Sequence, residues 1–327
     1  MRYLLFILTL THIKLCAGVF YVDPENGNPQ GDGSAKNPWR TLEEVFENNL
    51  IETQIPARLP YVKGTDFVVK NAGAPIKAGD TISLLSGYHG DIDYTGAYND
   101  GVITIEAKDG HTPRLRRVKL RSVNGWTLRG LTVSASFATD YDNVTAIEAD
   151  SHAHTGPADN VIVENCLIYS TWDTSDWSQA DWNNNAASGI ILQGDYCEAR
   201  SNWLRNVNFG ISSSGDHNLV ENNTIENFSG DGIRGLGDSS TFQYNVVKNC
   251  YDVNANHDDG FQSWSVGEEG VGTGVVKGIV LRGNTFINYT DPGQPHRGTL
   301  QAIGCFDGLF EDWVVEERNN PYHQYRD

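Results

Sequence analysis

The chain has 327 residues, with 24 Lys plus Arg against 42 Asp plus Glu and a formal net charge of −18. That balance excludes general nucleic-acid binding and disfavours a polyanionic partner unless a cation or a local basic patch intervenes. The aromatic and β-branched content is too high for a disordered chain, and the length suits a solenoid, whose core grows unit by unit.

In chain order, residues 1–18 read as a secretory signal peptide. Arg2 opens it, Leu4, Leu5, Phe6, Ile7, Leu8 and Leu10 form its apolar run, and Cys16, Ala17 and Gly18 offer a small-residue cleavage site before Val19. The expectation is a secreted or periplasmic protein without a membrane span, because the run is too short to cross a bilayer. Residues 19–78 form an entry segment. There Pro38, Trp39, Leu42, Val45 and Phe46 predict a short amphipathic helix after Asn37, placed to plug the end of the solenoid. Strands follow near Asp80–Leu85, Val102–Ala107, Arg117–Arg121 and Trp126–Val133. In the third, Val118 and Leu120 face in while Arg117, Lys119 and Arg121 face out, as a candidate seat for an anionic polymer or as a solvated face.

The β-helical part is expected over residues 79–315, and two markers repeat within it. Asn-x-apolar-x-(Asn/Tyr) starts at Asn165, Asn202, Asn223, Asn245 and Asn284. Gly followed by a mostly apolar residue starts at Gly189, Gly210, Gly232, Gly260 and Gly298. Both share a step of 21–22 residues, lengthened in places by insertions at 170–187, 250–258 and between 264 and 297. Short strands with alternating apolar residues, such as Val161, Val163 and Leu167, must then stack in parallel around an apolar axis, with the turn asparagines forming a ladder. The prediction is an all-β, right-handed parallel β-helix. Its residues 316–327 form a tail with no evident cap, so the chain is a monomer unless that edge is paired. The register keeps Cys197 and Cys305 several rungs apart, which forbids a disulfide between them.

These features resemble the right-handed parallel β-helix superfamily of pectate, alginate and chondroitin lyases and polygalacturonases. The residues that carry the likeness are Tyr21-Val-Asp-Pro24, Gly33-Ser-Ala-Lys-Asn-Pro-Trp-Arg-Thr-Leu42, Gly79-Asp-Thr-Ile-Ser-Leu84 and the repeats. The resemblance implies an extracellular protein acting on acidic polysaccharide, often with Ca²⁺. Asn256-His-Asp-Asp259 and Ser265-Val-Gly267 are similar to polygalacturonase fragments, but the Gly-His-Gly and Arg-Ile-Lys motifs are missing, and no lyase family's catalytic motif matches in full.

Candidate chemistry gathers at Asp231, Arg234, Asn256, His257, Asp258, Asp259, Gln262 and Trp264. Asp231 and Asp259 each precede a marker glycine in successive rungs, so they should lie about 4.8 Å apart, with Arg234 beside Gln262. Close carboxylates repel, and a proton or a cation must join them. Asp231, Asp258, Asp259 and Asn256 are candidate Ca²⁺ ligands. In a polysaccharide lyase cleaving uronate glycan by β-elimination, the cation or Arg234 would neutralise the uronate. His257 would then act as base, with Asp258 and Asp259 in the same catalytic cluster. The alternatives are a glycoside hydrolase using the aspartates as acid and nucleophile, and a non-catalytic glycan-binding protein. Gln262 and Trp264 are candidate substrate contacts. So are Trp172, Trp177 and Trp182, whose rings either stack on sugars or pin their own loop to the wall.

Overall fold

The computed structural model describes residues 17–306 and 308–316. The signal-like segment ahead of residue 17 and the tail beyond residue 316 lie outside the described residues. Among the described residues no helix is long and apolar enough to cross a membrane.

The chain winds as a right-handed parallel β-helix with three stacks of strands. Stack one contains Ile147–Asp150, Ile190–Leu192, Ile211–Ser213, Ile233–Gly235, Asp259–Trp264 and Gln301–Phe306, each paired in parallel with the next. Stack two contains Asp159–Glu164, Glu198–Arg200, Leu219–Glu221, Thr241–Gln243, Val280–Arg282 and Val314–Glu316. Stack three contains Thr132–Ser134, Leu167–Tyr169, Trp203–Val207, Thr224–Phe228, Val246–Cys250 and Thr285–Ile287. The winding begins with Val19–Val22 and Thr81–Leu84, followed by two long strands, Asp91–Ala107 and Arg117–Arg129, each paired in parallel with the next.

Inward positions form continuous apolar columns. Ile147, Ile190, Ile211, Ile233 and Phe261 stack one above another and are all buried. Full burial of each such side chain contributes about 1.5–3 kcal/mol. Val161 and Val163 belong to this core. Leu167 does not. Its neighbours Cys166 and Ile168 point inward instead, because the turn ahead of that strand sits one residue earlier than the marker spacing suggests.

That shift originates at Asn165. It is not a rung of the asparagine ladder but a left-handed turn residue, with φ +54°, as Ser201, Asn222 and Tyr244 are in later rungs. Asn tolerates that conformation better than most residues. The ladder position in that rung is Cys166, whose N–H donates to Asn202 Oδ1 at 3.0 Å. From there the ladder runs Asn202, Asn223, Asn245, Asn284, with Nδ2-to-Oδ1 distances of 3.0, 2.9 and 3.0 Å. A second ladder holds the corner between stacks one and two. The amides of Asp195, Asp216 and Asp238 donate to the carboxylates of Asp159, Asp195 and Asp216. The glycines before these aspartates are required by proximity. A Cβ on Gly194, Gly215 or Gly237 would lie 1.8–1.9 Å from a carbonyl oxygen of the preceding rung.

The third corner, from stack three back to stack one, varies. It is tight at 208–210 and 229–232 and expanded at 170–187 and 250–258. The expected insertion between 264 and 297 is divided, because Val275–Lys277, Val280–Arg282 and Thr285–Ile287 complete a normal rung within it. Gly298 is therefore not a marker glycine: Phe261 pairs with Ile303, which puts Ala302 beside Gly260. The 170–187 insertion carries a helix, α2 (Gln179–Asn185), closed by a capping box between Ser178 and Asp181.

At the N-terminal end, the helix α1 (Leu42–Glu47) starts at the cap Thr41, four residues after the expected point. Pro38 and Trp39 are extended, and Trp39 bridges to Val22 in parallel. Leu42, Val45 and Phe46 do face the core. The outward row Arg117, Lys119 and Arg121 is neutralised by Asp91, Asp93, Glu148 and Asp150, which removes it as a seat for an anionic polymer. The cysteines Cys166, Cys197, Cys250 and Cys305 are free thiols, the first three buried.

Candidate active site

The site forms where the expanded corner 250–258 meets stack one. Asp231 and Asp259 stand in successive rungs, and the Asp259 amide donates to Asp231 Oδ1 at 3.0 Å. Arg234 and Gln262 are register partners. Asp231 Oδ2 accepts from Arg234 Nε at 2.6 Å, and the guanidinium lies 3.5 Å above the Phe209 ring and 5.5 Å from that of Trp264. Among the described residues, the two terminal nitrogens of Arg234 make no hydrogen bond. Asp259 Oδ2 accepts from Gln262 Nε2 at 2.9 Å and faces His257 Nδ1 at 3.3 Å. An acceptor there favours the tautomer with a proton on Nδ1, which leaves the His257 Nε2 lone pair free. The imidazole side chain is 57% exposed, whereas that of Asp259 is fully buried.

His257, Gln262 and Trp264 line an open cleft of about 510 Å³ together with Val271 and Phe306. The Phe306 ring meets the imidazole edge-on at 5.1 Å. Val271 comes from a two-stranded hairpin, Val266–Gly267 with Gly270–Val271. Gly304 keeps the floor open, because a Cβ there would lie 2.6 Å from Asp259 Oδ2. The marker spacing hides Phe306 and Gly304. Taking Gly298 as the next marker displaces the last strand by four residues, whereas the observed register sets Phe306 opposite Trp264 and Gly304 opposite Gln262.

Burial raises the pKa of Asp231, against the opposing charge of Arg234. Burial also raises that of Asp259, with Gln262 and His257 opposing and Asp231 adding to the shift. Asp258 is pushed up to about 6 by burial, helped by the nearby Asp231 and Asp252 charges.

Several expected site residues sit elsewhere. Asp258 turns away from the cleft: its oxygens accept from Asn256 Nδ2 at 2.8 Å and from the buried Cys250 thiol at 3.5 Å. The four expected Ca²⁺ ligands do not form a cage. Asn256 presents its N–H, not its oxygen, to Asp258, and N–H donors occupy both Asp231 oxygens and Asp259 Oδ2. No group of three or more His, Cys, Asp or Glu among the described residues is arranged to hold a metal ion. Of the expected ligands' oxygens, Asp259 Oδ1 alone is buried without a hydrogen-bond partner, and one open oxygen is too few to hold calcium. Trp182 cannot stack on a sugar, because it is buried against Tyr251 with ring centroids 4.4 Å apart. Trp177 packs edge-on against Trp182 at 5.1 Å. Together with Asn183, which donates to Val253 O at 3.0 Å, Trp182 ties the 170–187 insertion to the loop that carries His257. Trp172 is 49% exposed, on the outer side of stack three.

No protein-family model and no curated protein matches the chain. Among solved structures it is similar to pectate lyase Pel9A, with a TM-score of 0.45 at 13% identity, over 92% of this chain and 77% of that one. It is similar to a rhamnogalacturonan lyase, with a TM-score of 0.41 at 12% identity, over 95% and 89% of the two chains. Pectate lyase C from Erwinia chrysanthemi gives a TM-score of 0.37 at 9% identity, over 72% and 76%. The fold assignment above stands on the strand register itself.

Proposed function

We propose that the protein is a secreted polysaccharide lyase acting on a uronate-containing glycan, with His257 as its base. The observation that carries this reading is an exposed imidazole, oriented by the buried Asp259, in an aromatic-walled cleft whose Trp264 ring lies 5.5 Å from the Arg234 guanidinium, the terminal nitrogens of Arg234 making no hydrogen bond among the described residues. Arg234 neutralises the uronate carboxylate, which acidifies the C–H next to it. His257 Nε2 takes that proton. The C–H electron pair becomes the new ring double bond, the glycosidic C–O bond breaks, and water in the open cleft protonates the leaving oxygen. Trp264 and Phe306 offer faces to the sugar ring. Asp231 holds Arg234 by its Nε and directs the terminal nitrogens outward. No step needs a metal ion. The hydrolase reading is weaker, since it needs two accessible carboxylates and both Asp231 and Asp259 are buried and engaged.

The test is digestion of a panel of pectins, alginates and glycosaminoglycans. Ultraviolet-absorbing unsaturated products that vanish in His257→Ala are expected. New reducing ends without that absorbance would replace the lyase with a hydrolase, and no cleavage of any member would leave a binding protein.

A further inference from the structure

The outer face of stack three carries a feature that the winding does not need. One row there reads Thr132, Leu167, Trp203, Thr224, Val246, Thr285 in register. Threonine and aliphatic residues satisfy every other rung, yet Trp203 projects from this one and is 40% exposed. Trp172, 49% exposed, stands against it with centroids 6.1 Å apart and planes at 77°, so the two indoles form a corner.

Arg205 supplies an independent observation. It lies in register with Glu226, where an ion pair would cost nothing in geometry. Glu226 instead takes Lys248 at 2.8 Å and the Trp203 indole N–H at 3.1 Å. The Arg205 guanidinium turns to the indoles, 4.3 Å from the Trp172 ring and 5.8 Å from that of Trp203. It makes no ion pair among the described residues, and its Nε is buried without a hydrogen-bond partner. Asp173, on the same loop as Trp172, binds the Ser175 amide instead. A cation between two exposed indoles that makes no ion pair among the described residues, with only the longer-range charge of Asp173 near it, is complementary to a flat ring that carries an anion.

We infer that Trp172, Trp203 and Arg205 form a second carbohydrate-binding surface, which takes one acidic sugar unit with its ring against the indoles and its carboxylate on Arg205. This rests on the carbohydrate reading above but not on the chemistry at His257, which lies on the 250–258 corner against stack one.

Affinity electrophoresis of the full chain through gels containing polygalacturonate, alginate or a neutral glucan tests it. Wild type is retarded by at least one of the two uronate polymers, less so as salt rises, and not by the glucan. Trp203→Thr, which installs the residue of the next rung and so keeps the fold, raises the apparent Kd about tenfold. Arg205→Gln weakens retention by the uronate polymers to a similar extent. Wild-type mobility unaffected by either uronate polymer, or retention unchanged in both Trp203→Thr and Arg205→Gln, overturns the inference. Retention lost in Trp203→Thr together with an absence of turnover would overturn the lyase reading and leave this surface standing.

Discussion

Between Asp159 and Asp259 the first two corners of each rung and the third corner follow opposite rules; beyond Trp264 the first corner expands as well, into the hairpin of Val266–Gly267 with Gly270–Val271. At the first two, a left-handed residue, a ladder amide or carboxylate and, at the first, a closely packed glycine recur with little change, because each group bonds its counterpart one rung away. At the third, length is free: two tight turns lie between the expanded corners at 170–187 and 250–258. The repeating corners hold the winding together, and the variable corner carries titratable groups over a cleft. In a solenoid a loop can grow at one corner without disturbing rungs fixed at the others.

Four experiments bear on this contrast. The largest effect is expected at the variable corner: His257→Ala lowers turnover on the order of 10²–10⁴-fold. Its stability should change by less than about 0.5 kcal/mol, since the side chain is mostly exposed. A matched loss of both would erase the division between the corners.

Asn223→Ala does the reverse. Asn223 Oδ1 accepts from both the backbone and the side chain of Asn202, and its Nδ2 donates to Ala199 O and Asn245 Oδ1. Its removal leaves the buried Asn202 amide unpaired, at a cost of about 3 kcal/mol in urea unfolding, with turnover per folded molecule intact. A cost below about 1 kcal/mol would show that the ladder ornaments the stack without holding it.

Asp258→Asn sharpens the contrast through pH. The native carboxyl is raised to about 6, so between the ordinary aspartate range and that value the folded chain binds more protons than the unfolded one. The stability it contributes is present at low pH and lost as pH rises through about 6. The variant flattens that fall and gains on the order of 1–2 kcal/mol at neutral pH, read from denaturation midpoints at several pH values. An unchanged pH slope would mean that Asp258 does not hold its proton in the folded chain. The smallest effect is expected from a chelator, which should leave the cleavage rate unaltered. A rate abolished by chelation and restored by calcium would show that the ion arrives with the glycan.

Much of the winding was legible because the fold repeats its bonding needs. The glycines of 189, 210, 232 and 260 mark one column, and that column alone places Asp259 over Asp231 and Gln262 over Arg234. The misreadings have local causes. Asn165 imitates a ladder residue because asparagine serves both ladders and left-handed turns. Gly298 imitates a marker because loop glycines are common, and following it conceals Phe306. Trp182 shares its spacing of five with Trp172 and Trp177, but only the helix in that loop decides that its ring faces inward. The expected calcium ligands do not gather into a cage for a reason that residue types cannot convey: both Asp231 oxygens and Asp259 Oδ2 already accept hydrogen bonds. The Arg205 corner left a trace in the sequence, a tryptophan where the rungs on either side carry leucine and threonine.

The glycines that touch carbonyls across rungs have one more consequence. Because Gly194, Gly215 and Gly237 each lie against a carbonyl of the rung before, the coils at this corner stack in one fixed register. The molecule can lengthen only by whole coils, so the span between the cleft and the tryptophan corner is quantised in increments of about 4.8 Å. Duplicating one coil would therefore act as a ruler on the bound polymer, shifting its two points of attachment by a known increment while leaving each intact.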